Sequence, residues 1–296
     1  MTEHKIIHGD CLEVMQGMGE CSVDLLVCSP PYEAARTYNI DFKLKGQDWV
    51  DWALPRFLEG YRVSRGVTCW VVEGQTRQFR WSATPALLMA DLHRAGVKLR
   101  KPPAFYRVGI AGSGGPDWWR NDYEFCVCAS HGRLPWSDNT AMGHPPKYAP
   151  GGEMSYRNAD GKRKNARDKP EVKRARAQQF KLQTRRKANG ERARDGLYKP
   201  PKKANPGNLI KCHGGGGHLG SPLAHENEAP FPEDLIEWFV LSFCPPGGTV
   251  LDCFGGSGTT GAVAKKHGRN SISIDCRESQ IELMHRRLST IQEQMF

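Results

Sequence analysis

What the chain lacks narrows its class first. No apolar run approaches the roughly 18 residues that a membrane-crossing helix needs, so a membrane-spanning reading is set aside. The opening MTEHKIIHGD has no basic then apolar leader before a small-residue cleavage site, so the expected location is the cytoplasm. The chain has ten cysteines but no CxxC pair, which removes the usual zinc-ribbon spacing and any dense disulfide framework. Cys126 and Cys128, two apart in the alternating stretch YEFCVCAS, share one face of a strand. That pair and the group Cys212, His213 and His218 come nearest to a zinc site; the expectation is no metal, with the thiols packed as small hydrophobes.

Acid is scarce as well. Against 42 Lys and Arg stand 32 Asp and Glu, a formal net charge of +10, which favours an anionic partner and nucleic acid foremost. The excess is local. From Arg157 to Lys203, 47 residues carry 18 Lys or Arg and 5 Asp or Glu, a local net of +13 that leaves the remainder near −3. This segment has few large apolar residues and no durable periodicity outside KPEVKRARAQQFKLQTRR. Two readings stay open: a solvated insertion with no core of its own, or a nucleic-acid-facing segment whose cations displace counterions from phosphates.

Elsewhere strands and helices alternate. KIIHGD reads as a strand end and turn, and SVDLLVC as a near-continuous apolar strand halted by two prolines. Residues 48–63 repeat apolar side chains at three and four, a helix that must accommodate Pro55. A strand from Gly66 to Val72, a helix over 84–95 and strands in KPPAFYRVG and YEFCVCAS follow. Beyond the basic segment, PEDLIEWFVLSFC has helical spacing. TVLDCFGGSGTTGAVAKKHGRNSISID then reads as strand, glycine turn, helix from near Thr260, and a second strand ending at Asp275. SQIELMHRRLSTI closes the chain as a helix.

Two strand ends carry chemistry. The turn from Phe254 to Gly258 allows close backbone approach and opens a helix with free amide donors. It has no Lys after it, against a P-loop, and its spacing departs from GxGxxG. With Asp275 positioned for a ribose hydroxyl, it reads as a cradle for an adenosine-containing cofactor, or as a tight turn that only lets helix and strand pack. The other strand end is Ser29, Pro30, Pro31 and Tyr32, a stiff corner bearing a flat ring that can stack on a planar substrate.

SPPY at Ser29 to Tyr32 together with LDCFGGSGTT at Leu251 to Thr260 resembles the amino-methylating DNA methyltransferases that use S-adenosylmethionine. The order of the motifs resembles that family's permuted beta group. The resemblance covers roughly residues 4–131 and 222–290. It implies an α/β fold: a doubly wound, mostly parallel seven-stranded sheet with helices on both faces, Rossmann-like, with a basic insertion. The implied divisions are a catalytic half at 1–132, a target-recognition region with the insertion at 133–223, and a cofactor-binding half at 224–296 that completes the same sheet.

The resemblance also assigns residues. Ser29, Pro30, Pro31 and Tyr32 become the catalytic set. Asp10, Cys11, Asn227, Asp252, Phe254, Gly255, Gly256, Ser257, Gly258, Thr259 and Asp275 become the S-adenosyl-L-methionine set. Asn227 and Glu228 stand where the family often has His and Pro, and Cys253 replaces a usual Pro. Cys28 adjoins the motif as a packed thiol rather than a nucleophile. Trp118, Trp119, Arg120, Asn121, Tyr123 and Glu124 form a polar and aromatic group for the pocket or a flanking nucleotide, or rim packing. The DNA-binding candidates are Arg120, Lys162, Arg163, Lys164, Lys173, Arg174, Arg185 and Arg186.

The implied reaction is methylation of cytosine N4 in a nucleotide flipped from double-stranded DNA, with adenine N6 as the alternative. A non-catalytic basic nucleic-acid-binding protein and an RNA substrate are the other readings. A cognate restriction endonuclease is a candidate partner, and monomer and homodimer are both open.

Overall fold

The structure, a computed structural model, describes residues 2–33, 42–109, 117, 119–145, 203–213 and 219–292. The chain divides into two compact units, Met1–Met142 with Gly207–Phe296, and Gly143–Pro206. In the second unit the described residues include a bridge between His144 and Ala204, closed by an N–H to carbonyl bond of 2.9 Å. Lys162 to Arg186, and with them seven of the eight DNA-binding candidates, lie outside the described residues, as do Trp118 and His218.

The first unit is built on one sheet. Its strands are β1 (His4–His8), β2 (Val23–Cys28), β3 (Ser64–Val72), β6 (Leu99–Arg100), β7 (Ala104–Val108), β8 (Tyr123–Ala129), β9 (Leu209–His213), β10 (Thr249–Asp252) and β11 (Asn270–Asp275). A separate hairpin comprises β4 (Thr76–Arg77) and β5 (Arg80–Trp81). The helices are α1 (Cys11–Gln16), α2 (Gly46–Val63), α3 (Thr84–Arg94), α4 (Glu233–Phe243), α5 (Thr259–Lys266) and α6 (Glu278–Thr290). Among the described residues no helix is long and apolar enough to cross a membrane.

The sheet runs β1-β11-β10-β2-β3-β8-β7-β9, with β6 paired to β8. Its first five strands are mutually parallel, β8 is antiparallel to β3 and β7, and β9 is parallel to β7. The described sheet therefore has nine strands rather than seven. One addition is the two-residue β6. The other, β9, falls within the stretch expected to recognise the target. Ile210 and Cys212 point inward while their neighbours are exposed, so this edge strand is half-buried and its short alternation is easily taken for loop.

The apolar run of β2 has a direct cause. Leu26 and Cys28 join one core with Trp49, Phe57, Trp70 and Leu88. Leu25 and Val27 join the opposite core with Leu235, Phe239 and Val263. A strand covered on both faces has no place for a solvent-facing polar residue, and each such aliphatic side chain contributes roughly 1.5–3 kcal/mol on burial. α2 and α3 cover the first face, α4 and α5 the second. Between β10 and β2 the strand order reverses, with Leu251 opposite Leu26. A crevice opens beyond the carboxyl ends of parallel strands at such a point.

Candidate active site

The glycine turn grows from β10. Gly256 and Gly258 adopt left-handed φ angles of 50° and 75°. A Cβ on Gly256 would lie 2.9 Å from Asn227 Nδ2, so both φ and space call for glycine there. Asp252 holds the turn from behind. Its Oδ1 accepts the Phe254 N–H at 3.0 Å and its Oδ2 accepts the Thr260 hydroxyl at 2.6 Å. Burial pushes its pKa up to about 6, against the pull of these two donors.

Asp275, at the end of β11, accepts the Gly256 N–H at 2.9 Å, the Arg277 N–H at 3.0 Å and Arg277 Nε at 3.2 Å. A carboxylate has about four lone-pair sites, so capacity remains for a hydroxyl. Behind the turn, fully buried Arg287 reaches Ser257 O (3.2 Å), Ser257 Oγ (3.1 Å) and Thr259 Oγ1 (2.9 Å), and pairs with Glu233 at 2.7 Å.

Asp10 caps α1, its Oδ1 accepting Leu12 N–H at 2.8 Å while its Oδ2 meets Arg56 Nη2 at 2.9 Å. Burial alone would raise this carboxyl, but the Arg56 bond and the helix N–H groups outweigh it and hold the pKa below the usual value. The Arg56 guanidinium also lies 4.5 Å from the Trp52 ring centroid. Trp52 and Trp70 meet Phe254 at centroid distances of 5.9 and 5.3 Å, giving the turn an aromatic wall.

The SPPY corner lies across the crevice. Ser29 Oγ donates toward Val71 O at 3.2 Å and lies 3.4 Å from the Tyr32 hydroxyl. Tyr32 donates to Glu124 Oε2 at 2.7 Å, and Arg107 pairs with Glu124 Oε1 at 3.1 Å. Burial raises the Glu124 pKa, while Tyr32 and Arg107 pull it back. Trp49 Nε1 occupies the Pro31 carbonyl at 2.8 Å. Buried Glu33, next after the motif, accepts the N–H groups of Gly46 (2.8 Å) and Gln75 (3.0 Å) and the Ser82 hydroxyl, fixing where the corner leads.

Both ends face one cavity of about 620 Å³. Every catalytic and cofactor residue expected from sequence lines it except Asp252 and Gly258, which shape the turn from outside. Asn227 Oδ1 and Arg56 Nε are buried without a partner and belong to lining residues. These orphaned polar atoms, together with a turn that excludes a Cβ, fit a polar cofactor. Arg120 is exposed, is not among the residues lining the cavity, and pairs with Asp122 at 3.1 Å. Among the described residues no cluster of three His, Cys, Asp or Glu could hold a metal ion.

Sequence reasoning missed several lining or supporting residues. Glu73 lines the cavity immediately beyond β3. Burial pushes its pKa up to about 7, countered by the Gly74 N–H and Trp81 indole N–H and reinforced by nearby Glu124. Its signal was the one that exposed SPPY, a polar residue just past a buried strand. Arg287 was detectable as an arginine within the apolar stripe of Ile281, Met284 and Leu288 on α6. Arg56 and Arg107 had no local signal.

An open α/β sheet with a glycine turn and a proline corner facing one crevice at the strand-order reversal defines a Rossmann-like transferase. The profile of the N6/N4 DNA methylase family matches residues 23–286, and the chain belongs to that family. It is an S-adenosylmethionine-dependent DNA methyltransferase of the cytosine-N4 and adenine-N6 type. The orphan methyltransferase M.BamHII of Bacillus amyloliquefaciens is 26% identical over 285 residues, 92% of this chain and 91% of that protein.

Among solved structures, the cytosine-N4-specific PvuII DNA methyltransferase has a TM-score of 0.65 at 18% identity, covering 100% of this chain and 89% of that one. A protein of Thermus thermophilus, described as a DNA modification methylase and solved with S-adenosyl-L-methionine, has a TM-score of 0.54 at 20% identity, covering 97% and 93%. At these identities the solved structures share the fold.

Proposed function

We propose that the enzyme methylates the exocyclic N4 amine of a cytosine flipped out of double-stranded DNA. The observation that carries this reading is the serine-first corner and the glycine turn facing one cavity. The cytosine-N4 specificity of the structurally similar PvuII enzyme supports cytosine. S-adenosylmethionine supplies an electrophilic methyl group on a sulfonium when bound. Asp10, Asn227, Asp275 and the turn from Phe254 to Thr259 are the residues to hold it.

The Ser29 hydroxyl directs its proton to Val71 O, so its lone pairs stay available to accept an amine N–H. The Pro30 carbonyl, with no donor among the described residues, takes the second. The Tyr32 ring stacks on the base, its edge anchored by Glu124. The amine lone pair is thereby aimed at the methyl carbon, and positioning supplies most of the acceleration. The nitrogen that takes the methyl group of S-adenosylmethionine is left with one surplus proton. The amine's surplus proton passes to Glu73, whose pKa of about 7 suits a proton acceptor.

The region 133–223 recognises the target, with Lys162, Arg163, Lys164, Lys173, Arg174, Arg185 and Arg186 on phosphates and Arg120 as a further DNA contact. The enzyme acts in the cytoplasm, as monomer or homodimer, and a cognate restriction endonuclease is the partner to seek. Nucleoside mass analysis after incubation with duplex DNA and the methyl donor tests the base: N4-methylcytosine is expected, and exclusive N6-methyladenine overturns it. Competition between matched DNA and RNA duplexes tests the polymer.

A further inference from the structure

The β4–β5 hairpin rises from the rim of the catalytic cavity. Glu73, Gly74 and Gln75 line the cavity and lead directly into β4. The root of the hairpin is pinned there. Trp81 Nε1 donates to Glu73 at 3.0 Å, and the Trp81 ring stacks on Phe125 at 6.0 Å. Gln75 N–H donates to Glu33 at 3.0 Å, tying the same root to the residue that follows SPPY.

The tip is unlike its root. Gln78 and Phe79 form the two-residue turn with φ angles of 48° and 61°. Such turns favour Asn-Gly because both central residues are left-handed, and a bulky aromatic there is disfavoured. Phe79 is nevertheless 90% exposed, so its ring does not contribute burial to the fold. Arg77 and Arg80, opposite one another at the base of the turn, are exposed and have no carboxylate partner among the described residues. Trp119 is equally exposed, but the guanidinium of neighbouring Arg120 is neutralised by Asp122. An apolar ring at a strained tip, flanked by two free cations and rooted in the cavity wall, has the composition of a wedge for a polyanionic stack.

We infer that Phe79 enters the base stack of duplex DNA at the target pair as the target nucleotide leaves it, with Arg77 and Arg80 on the flanking phosphates. The inference rests on the base-flipping reading given above. The ring occupies the vacated place, offsetting the stacking that the departing base gives up, and the pinned root couples that insertion to the pocket that receives the base.

The test uses the full chain. A mixed-sequence duplex library methylated by the wild type and mapped at base resolution identifies the target. Duplexes are then made with the target base paired normally or set opposite an abasic site, where flipping is already easier. Phe79→Ala should lose about tenfold or more in kcat/KM on the paired duplex, the scale of one base–aromatic stack. It should regain most of that loss opposite the abasic site, and Phe79→Leu should keep most activity on both. An unchanged paired rate, or an equal loss on both duplexes, overturns the wedge. Calorimetric binding of S-adenosylmethionine verifies that each variant is folded. Failure of the wild type to methylate any duplex instead sinks the reading beneath the inference.

Discussion

The sulfurs of Cys28 and Cys253 lie 3.4 Å apart although 225 residues separate them in the chain. Each is the residue just before a motif, Cys28 before SPPY and Cys253 before the glycine turn. The contact sits where β2 and β10 pair in parallel, so the two strand ends are held in fixed register beneath the cavity. Burial pushes the Cys28 thiol up to about 11, which keeps it protonated and inert.

Cys28→Ala should therefore keep methyl transfer within about threefold while lowering stability by roughly 1–2 kcal/mol through the small void it leaves. Urea denaturation and a methyl-transfer assay check the two halves. A hundredfold loss of rate in a stably folded variant would assign the sulfur a chemical role.

The Tyr32–Glu124 bond separates ring from hydroxyl. Tyr32→Ala removes the stacking surface and should cost about 5–150-fold in kcat/KM, whereas Tyr32→Phe keeps the ring and should cost about 3–10-fold. KM for S-adenosylmethionine should hardly move in either. Equal effects of the two substitutions would refute stacking as the function of the ring.

The pH profile follows from Glu73. Acting as a carboxylate, it is protonated and idle below its pKa, so kcat should rise with pH and level off above about 7. In Glu73→Gln the inflection should vanish and the plateau fall. Persistence of the inflection in that variant would move the titrating group elsewhere.

Asp252 makes stability pH-dependent. Its folded pKa, raised from 3.8 to about 6, favours folding below the unfolded value, and that contribution is lost as pH rises through about 6. Asp252→Asn does not titrate, so its stability relative to wild type should improve between pH 4 and pH 7, by at most roughly 3 kcal/mol. Denaturation of both proteins across that range measures the difference, and parallel curves would contradict it.

DNA affinity should fall steeply with salt. Replacing Lys173, Arg174, Arg185 and Arg186 by Gln should reduce the slope of log Kd against log salt by about 0.9 for each phosphate that is no longer neutralised. Fluorescence anisotropy with duplex DNA at several salt concentrations is sufficient. An unaltered slope would mean that the basic segment does not face DNA.

The two chemical motifs were legible in the sequence because each is a short covalent pattern. A buried strand followed by residues that cannot continue it marks Ser29 and Phe254 without reference to any distant contact. The strands of the parallel sheet were legible for a related reason, since burial on both faces writes itself as an unbroken apolar run such as LLVC. β9 was not, because a five-residue edge strand has one wet face and no such run.

What sequence alone determined, then, is the presence of two strand-end motifs, the family they resemble, and the uneven placement of charge. Only the tertiary structure decided that Asp252 braces the turn from outside the cavity while Glu73 lines it. The same holds for Arg107 beside Glu124 and Arg287 beside Glu233. The reason is physical. Whether a carboxyl faces ligand or backbone, and whether its pKa rises or falls, depends on burial and on partners such as Arg56, which stands 46 residues from Asp10 in the chain. Those quantities arise only when strands far apart in sequence meet at one edge of the sheet.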